Sequence, residues 1–110
     1  MKFKKSDRAF LYAEIEAKFP DPNFSESVNL LSRDCMVVAE EWLDQAKNTE
    51  RKTKRELRKD LKGHINSKID LKDDTKPYHY ASFVWVFIAQ MVITFIVRWI
   101  IERYTNGRGK

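Results

Sequence analysis

Between Ala81 and Ile101 the chain reads ASFVWVFIAQMVITFIVRWII, with no charged residue before Arg98. These 21 residues, rising about 1.5 Å each in an α-helix, cover roughly 31 Å and match a hydrocarbon core of about 30 Å. Twelve of them are Ile, Phe or Val, and at about -0.3 to -0.6 kcal/mol apiece they favour insertion by roughly 4 to 7 kcal/mol. Arg98 would cost about 2.5 to 3.5 kcal/mol at the bilayer centre, but three positions from the end it can snorkel to the interface. The stretch is therefore expected to be one transmembrane helix. Tyr78, Tyr80 and Trp85 fall near one boundary and Trp99 and Tyr104 near the other, the placing of aromatic interface anchors.

This helix has a polar side. Gln90, Thr94 and Arg98 are spaced four apart and share one face, and Glu102 continues the line within reach of Arg98. Polar groups inside a bilayer usually seek another helix, so the seam is expected to mediate helix association. Tolerated single polar residues, or an ion path, are the competing readings.

The rest of the chain is of opposite character. Mean hydropathy is -0.58 although 43% of the residues are hydrophobic, because the apolar residues concentrate in one segment. A net charge of +5 favours anionic partners. One cysteine, Cys35, excludes an internal disulfide and a cysteine-based zinc site, which fits a reducing compartment. The basic opening is followed only by the short apolar run AFLYA, too little for a secretory signal, which needs about 7 to 15 apolar residues. Lysines and arginines balance at the two ends of the span: Lys62, Lys68, Lys72 and Lys76 against Arg98, Arg103, Arg108 and Lys110. The positive-inside rule is thus tied. Orientation is inferred instead from the missing signal, and the N-terminus is expected to be cytoplasmic.

Periodicity predicts about three helices before the span. Ser6 is a candidate N-cap for a helix over 7–18, whose apolar residues form two stripes, Leu11/Ile15/Phe19 and Phe10/Ala13/Ala17. Pro20 and Pro22 end it. Asn23 and Glu26 resemble a capping box opening a second helix from 24 or 25 to 47. On it Val28, Leu31, Cys35, Val38, Ala39, Trp42, Leu43 and Ala46 share one arc, with Leu31, Cys35, Val38 and Trp42 the expected core or partner face. Leu30 and Val37 lie off that arc as isolated apolar side chains. Asn48 and Thr49 are expected to cap a third helix over 50–62, fading past Gly63 to Ile69, with Leu57, Leu61, Ile65 and Ile69 as a thin apolar stripe.

The opposite side of that third helix carries Arg51, Lys52, Arg55, Arg58, Lys59 and Lys62. About 20 residues before the span, these cations are candidates for anionic lipid headgroups, at about 1 kcal/mol each near a charged leaflet. A solvated face is the plainer reading. Nucleic acid is disfavoured because no aromatic or base-reading residues interleave the charges.

Catalytic signatures are missing. His64 and His79 have no partners at metal-ligand spacing, and Cys35 has no neighbouring base. DLKDD lacks the glycine and terminal glutamate of a calcium loop, and NGRGK lacks the spacing of a phosphate loop. No enzyme activity, cofactor or metal is expected.

The expected architecture is all-α: a small amphipathic helical module over 1–69, a linker over 70–80, a transmembrane helix over 81–101 and a short basic tail over 102–110. A core this small supplies roughly 3 to 5 kcal/mol, so self-association or docking on a partner protein is expected. The function implied is a single-pass, C-terminally anchored protein that scaffolds or recruits partners at the bilayer without catalysis. The alternatives are a structural, virion-type subunit whose apolar helix is buried between subunits, and a small holin-like pore.

Overall fold

The computed structural model describes residues 3–45, 52–71 and 83–104. Within them every regular element is an α-helix: α1 (Lys5–Lys18), α2 (Ser25–Asp44), α3 (Lys54–Lys68) and α4 (Phe83–Tyr104). The all-α class is as the sequence predicts. Among the described residues one stretch, Phe83–Arg103 of α4, is long and apolar enough to cross a membrane.

α2 begins at Ser25, where the sequence places it, but its cap and the starts of α1 and α3 differ from those predicted. α1 begins at Lys5, with Lys4 at the N-cap, so Ser6 lies inside the helix and not at its cap. Asp7 still occupies the first turn, where the helix dipole favours it. The predicted capping box of Asn23 and Glu26 does not open α2. The Asn23 backbone N–H donates to Asp21 Oδ1 at 2.9 Å, a local turn, and Phe24 becomes the N-cap without a side-chain bond. α2 stops at Asp44, three residues short of the expected end.

α3 is moved further still. Asn48 and Thr49 lie outside the described residues, and the helix begins at Lys54 behind a true capping box. Glu56 N–H donates to Thr53 Oγ1 at 3.1 Å and Thr53 N–H to Glu56 Oε1 at 3.4 Å. Gly63 does not weaken the helix enough to end it. α3 runs on to Lys68, where Ile69 N–H closes on Ile65 C=O at 2.9 Å.

The four helices alternate in direction. Lys54 meets Glu102 and Asn66 meets Gln90, so α3 and α4 are antiparallel. Arg8 reaches Glu40 and Arg103 reaches Asp7, which sets α1 antiparallel to both α2 and α4. α2 and α4 run the same way, with Phe24 and Trp85 stacked near their starts. α4 packs on α1, α2 and α3. A radius of gyration of 13.9 Å is close to the roughly 13 Å of a compact chain of this length, so α4 is folded back onto the other helices.

One hydrophobic core results. α4 contributes Trp85, Ala89, Val92, Ile93, Ile96, Val97, Ile100 and Ile101; α2 contributes Val28, Leu31, Cys35, Met36, Ala39 and Trp42. The predicted stripe of Leu57, Leu61, Ile65 and Ile69 on α3 is buried in full. Of the two α1 stripes only Leu11/Ile15/Phe19 turns inward, and Phe10, Ala13 and Ala17 face out. Leu71 is buried where a linker is expected, and residues 72–80 of that segment lie outside the described residues.

Candidate interaction surface

The polar seam of α4 lies along α3. Lys62 Nζ donates to Thr94 Oγ1 at 2.9 Å, Gln90 Nε2 donates to Asn66 Oδ1 at 3.0 Å, and Lys54 Nζ donates to Glu102 Oε2 at 3.2 Å. Arg58 adds a longer ion pair to Glu102 at 3.9 Å. Residues 54, 58, 62 and 66 are spaced four apart, as are 90, 94 and 102 with 98 between them. Two antiparallel helices with matching periods therefore meet rung by rung. Arg98 does not take part. It is exposed, has no ion pair or hydrogen bond among the described residues, and leaves Glu102 to Lys54 and Arg58.

The same contacts divide the basic residues of α3. Lys62 and Arg58 turn toward α4, and Lys52 pairs with Asp60 at 3.1 Å. Arg55 and Lys59 stay exposed, and Arg51 lies outside the described residues. The face is therefore less uniformly available than its sequence spacing implies.

On α2, Leu31, Cys35 and Trp42 are buried and Val38 is half-buried. Met36, Ser27 and Ser32 are buried too, outside the predicted arc, because α2 touches α1, α3 and α4 and so buries a wider sector than one stripe. The Ser32 hydroxyl is satisfied by donating to Val28 C=O at 2.7 Å. Burial raises the Cys35 thiol pKa well above its ordinary value, with the Asp34 carboxylate adding to the effect. Burial also raises that of Tyr12, opposed by Arg8 and Arg33. Cys35 is thus a small hydrophobe and a poor nucleophile.

The expected interface aromatics have separate fates. Trp85 is fully buried, its ring 6.0 Å from that of Phe24 and nearly parallel to it. Trp99 is half-buried beneath the Arg103 guanidinium, 5.2 Å from the ring centroid. Tyr78, Tyr80, His79 and the side chain of Tyr104 lie outside the described residues. No group of three or more potential metal ligands occurs among the described residues.

Between α1 and α4 runs an open groove of about 1280 Å³. Its lining includes Phe87, Met91 and Phe95 with Lys18, Arg98 and Arg103. The apolar lining is open to the outside, with Phe87 68% and Phe10 50% exposed, and Phe83, 94% exposed, continues it beyond the groove. The sequence marks the Gln90/Thr94/Arg98 edge of this groove but does not single out the exposed apolar strip beside it. The signal was present in the second α1 stripe, whose Phe10 had no partner in its own helix.

No protein-family model, curated protein or solved structure matches this chain.

Proposed function

We propose that the chain is a non-catalytic, membrane-associated helical adaptor. In this reading α4 is a single-pass anchor, and α1, α2 and α3 form the recruiting module on the cytoplasmic side. The observation that carries it is α4 itself: a span-length apolar helix that still presents Phe83, Val84, Phe87 and Met91 to the outside after packing against three others. Exposed apolar patches of this kind mark surfaces that a partner or lipid covers.

Insertion exchanges one cover for another. When α4 leaves for the bilayer, Leu31, Cys35 and Trp42 of α2 and Leu57 and Leu61 of α3 lose the helix that shields them. An amphipathic helix of a partner protein, or of a second copy, fits the vacated groove. Recruitment would thereby be coupled to anchoring. Gln90, Thr94 and Arg98 then face another helix within the membrane.

A second reading is favoured by a specific observation. Gln90, Thr94 and Glu102 are each bonded to α3, and Arg103 to α1, so α4 also serves as the core helix of a bundle. That suits a structural subunit whose outer apolar strip is covered by its neighbours in an assembly.

Alkaline carbonate extraction of membranes from cells making the full chain separates the two. The anchor reading predicts that the protein stays in the pellet and is released by detergent. Release by carbonate, with co-sedimentation in a lipid-free particle, would contradict it and support the subunit.

A further inference from the structure

The outward face of α4, together with α1, has the chemistry of a bilayer-docking surface distinct from the basic face of α3. Two properties coincide there. Phe83, Val84, Phe87 and Met91 stand out of the folded bundle as a continuous apolar strip. Beside them, in the groove that Phe87 and Met91 line, sit Lys18 and Arg98. Neither has an ion pair among the described residues: Lys18 rests over the Phe95 ring at 5.2 Å, and Arg98 is exposed and unbonded. Acidic groups share the groove, but Glu102 is held by Lys54 and Arg58, and Arg103 is paired with Asp7, which leaves two unpaired cations against Glu14.

On α3 the situation is reversed. Its cations at 54, 58 and 62, and Lys52 just before it, are tied to Asp60, Glu102 and Thr94, and no exposed aromatic accompanies Arg55, Lys59 and Lys68. Apolar side chains entering the acyl boundary, flanked by cations at phosphate height, are what holds an amphipathic surface to an anionic membrane.

We propose that the folded bundle docks on anionic bilayers through the α1/α4 face, with Phe83, Phe87 and Met91 entering the acyl boundary and Lys18 and Arg98 contacting lipid phosphates. This rests on reading the chain as a membrane protein and adds the step that precedes insertion. α4 already lies against the lipid before it exchanges the contacts of α2 and α3 for it.

The test uses the purified full chain, with vesicles of phosphatidylcholine alone or mixed with phosphatidylglycerol, and follows co-flotation before and after a high-salt wash. The wild type is expected to prefer the anionic vesicles and to be partly removed by salt. Lys18→Glu with Arg98→Glu should weaken binding by roughly thirtyfold or more, because two cations are lost from the lipid surface and two anions replace them. Arg55→Glu with Lys59→Glu, the same change of net charge on α3, should leave binding within about twofold. Phe87→Ser, at a site too exposed to disturb the core, should lower binding to both vesicle types. Circular dichroism confirms that each variant is folded.

Equal loss from the α3 pair would overturn the proposal, and so would no preference for phosphatidylglycerol. A wild type that dimerises without vesicles, and loses the dimer in Phe87→Ser, would also overturn it by assigning the face to a second copy. The carbonate-resistant fraction reports insertion, and the salt-sensitive fraction reports docking. Failure of one is therefore visible separately from failure of the other.

Discussion

Cys35 and Gly63 show how single positions in this chain are governed by what surrounds them. Cys35 sits in the core with its thiol pKa raised by burial, so the protonated form is favoured in the folded state. Labelling by iodoacetamide at pH 8 should be slow in the native protein and become fast in urea. The sign of the linkage follows. Below the ordinary thiol value of about 8.5 both states are protonated, and above it the unfolded chain loses its proton first. Stability is expected to fall as pH rises past that value, and Cys35→Ala should abolish that part of the pH dependence in urea titrations. At Gly63 a Cβ would meet nothing within 4 Å, and the residue is in the middle of α3. Gly63→Ala is predicted to stabilise the protein by about 0.5 to 1 kcal/mol, through helix propensity and a less flexible unfolded chain. A thermal melt measures it.

At the scale of the element, α3 depends on Thr53. The Thr53–Glu56 capping box satisfies two backbone N–H groups that water would otherwise have to meet. Thr53→Ala should cost about 1 kcal/mol, read as a lower urea midpoint at constant slope. The same box shows what was legible from sequence. T-K-R-E is a capping signature at 53–56, yet Asn48 and Thr49 come first in the chain and end the apolar pattern of α2, so they drew the expected start too early. Asn23 misled in a related way, since the side chain of Asp21 turns the chain before Asn23 can cap it. The buried stripe of α3 and most of the α2 face were readable because helical spacing exposes them directly. Met36, Ser27 and Ser32 were not, because their burial depends on how many helices surround α2. On α4 the spacing of Gln90 and Thr94 did mark a helix-facing side, although only the fold shows which helix lies there. Gln90→Leu leaves Asn66 without its 3.0 Å donor, at an exposed site where the bundle should lose well under 1 kcal/mol. In a membrane two-hybrid assay the same change should weaken association if the seam joins copies of the chain within lipid, and unchanged association would remove that role.

For the whole molecule, the central tension is that α4 satisfies two environments. Its composition and length suit a bilayer, whereas its inner face of Trp85, Ala89, Val92, Ile93 and Ile96 completes a core with α2 and α3. The spacing of Gln90 and Thr94 marks one side of α4, but the remaining sides are apolar and carry no stripe to say that Trp85, Ala89, Val92, Ile93 and Ile96 turn inward. The adaptor account reconciles the two by letting α4 exchange protein for lipid, which leaves the groove around Trp42 and Leu57 for a partner. Trp85 reports that exchange directly, being buried against Phe24 in the bundle and near a bilayer boundary in the span. The deciding measurement is fluorescence of a Trp42→Phe/Trp99→Phe protein, which leaves Trp85 as the remaining tryptophan of three, in vesicles whose lipids are brominated near the glycerol. The account predicts strong quenching by the brominated lipid in the carbonate-resistant fraction. Fluorescence that is the same with and without bromine would mean that α4 stays in the bundle, and would contradict the account.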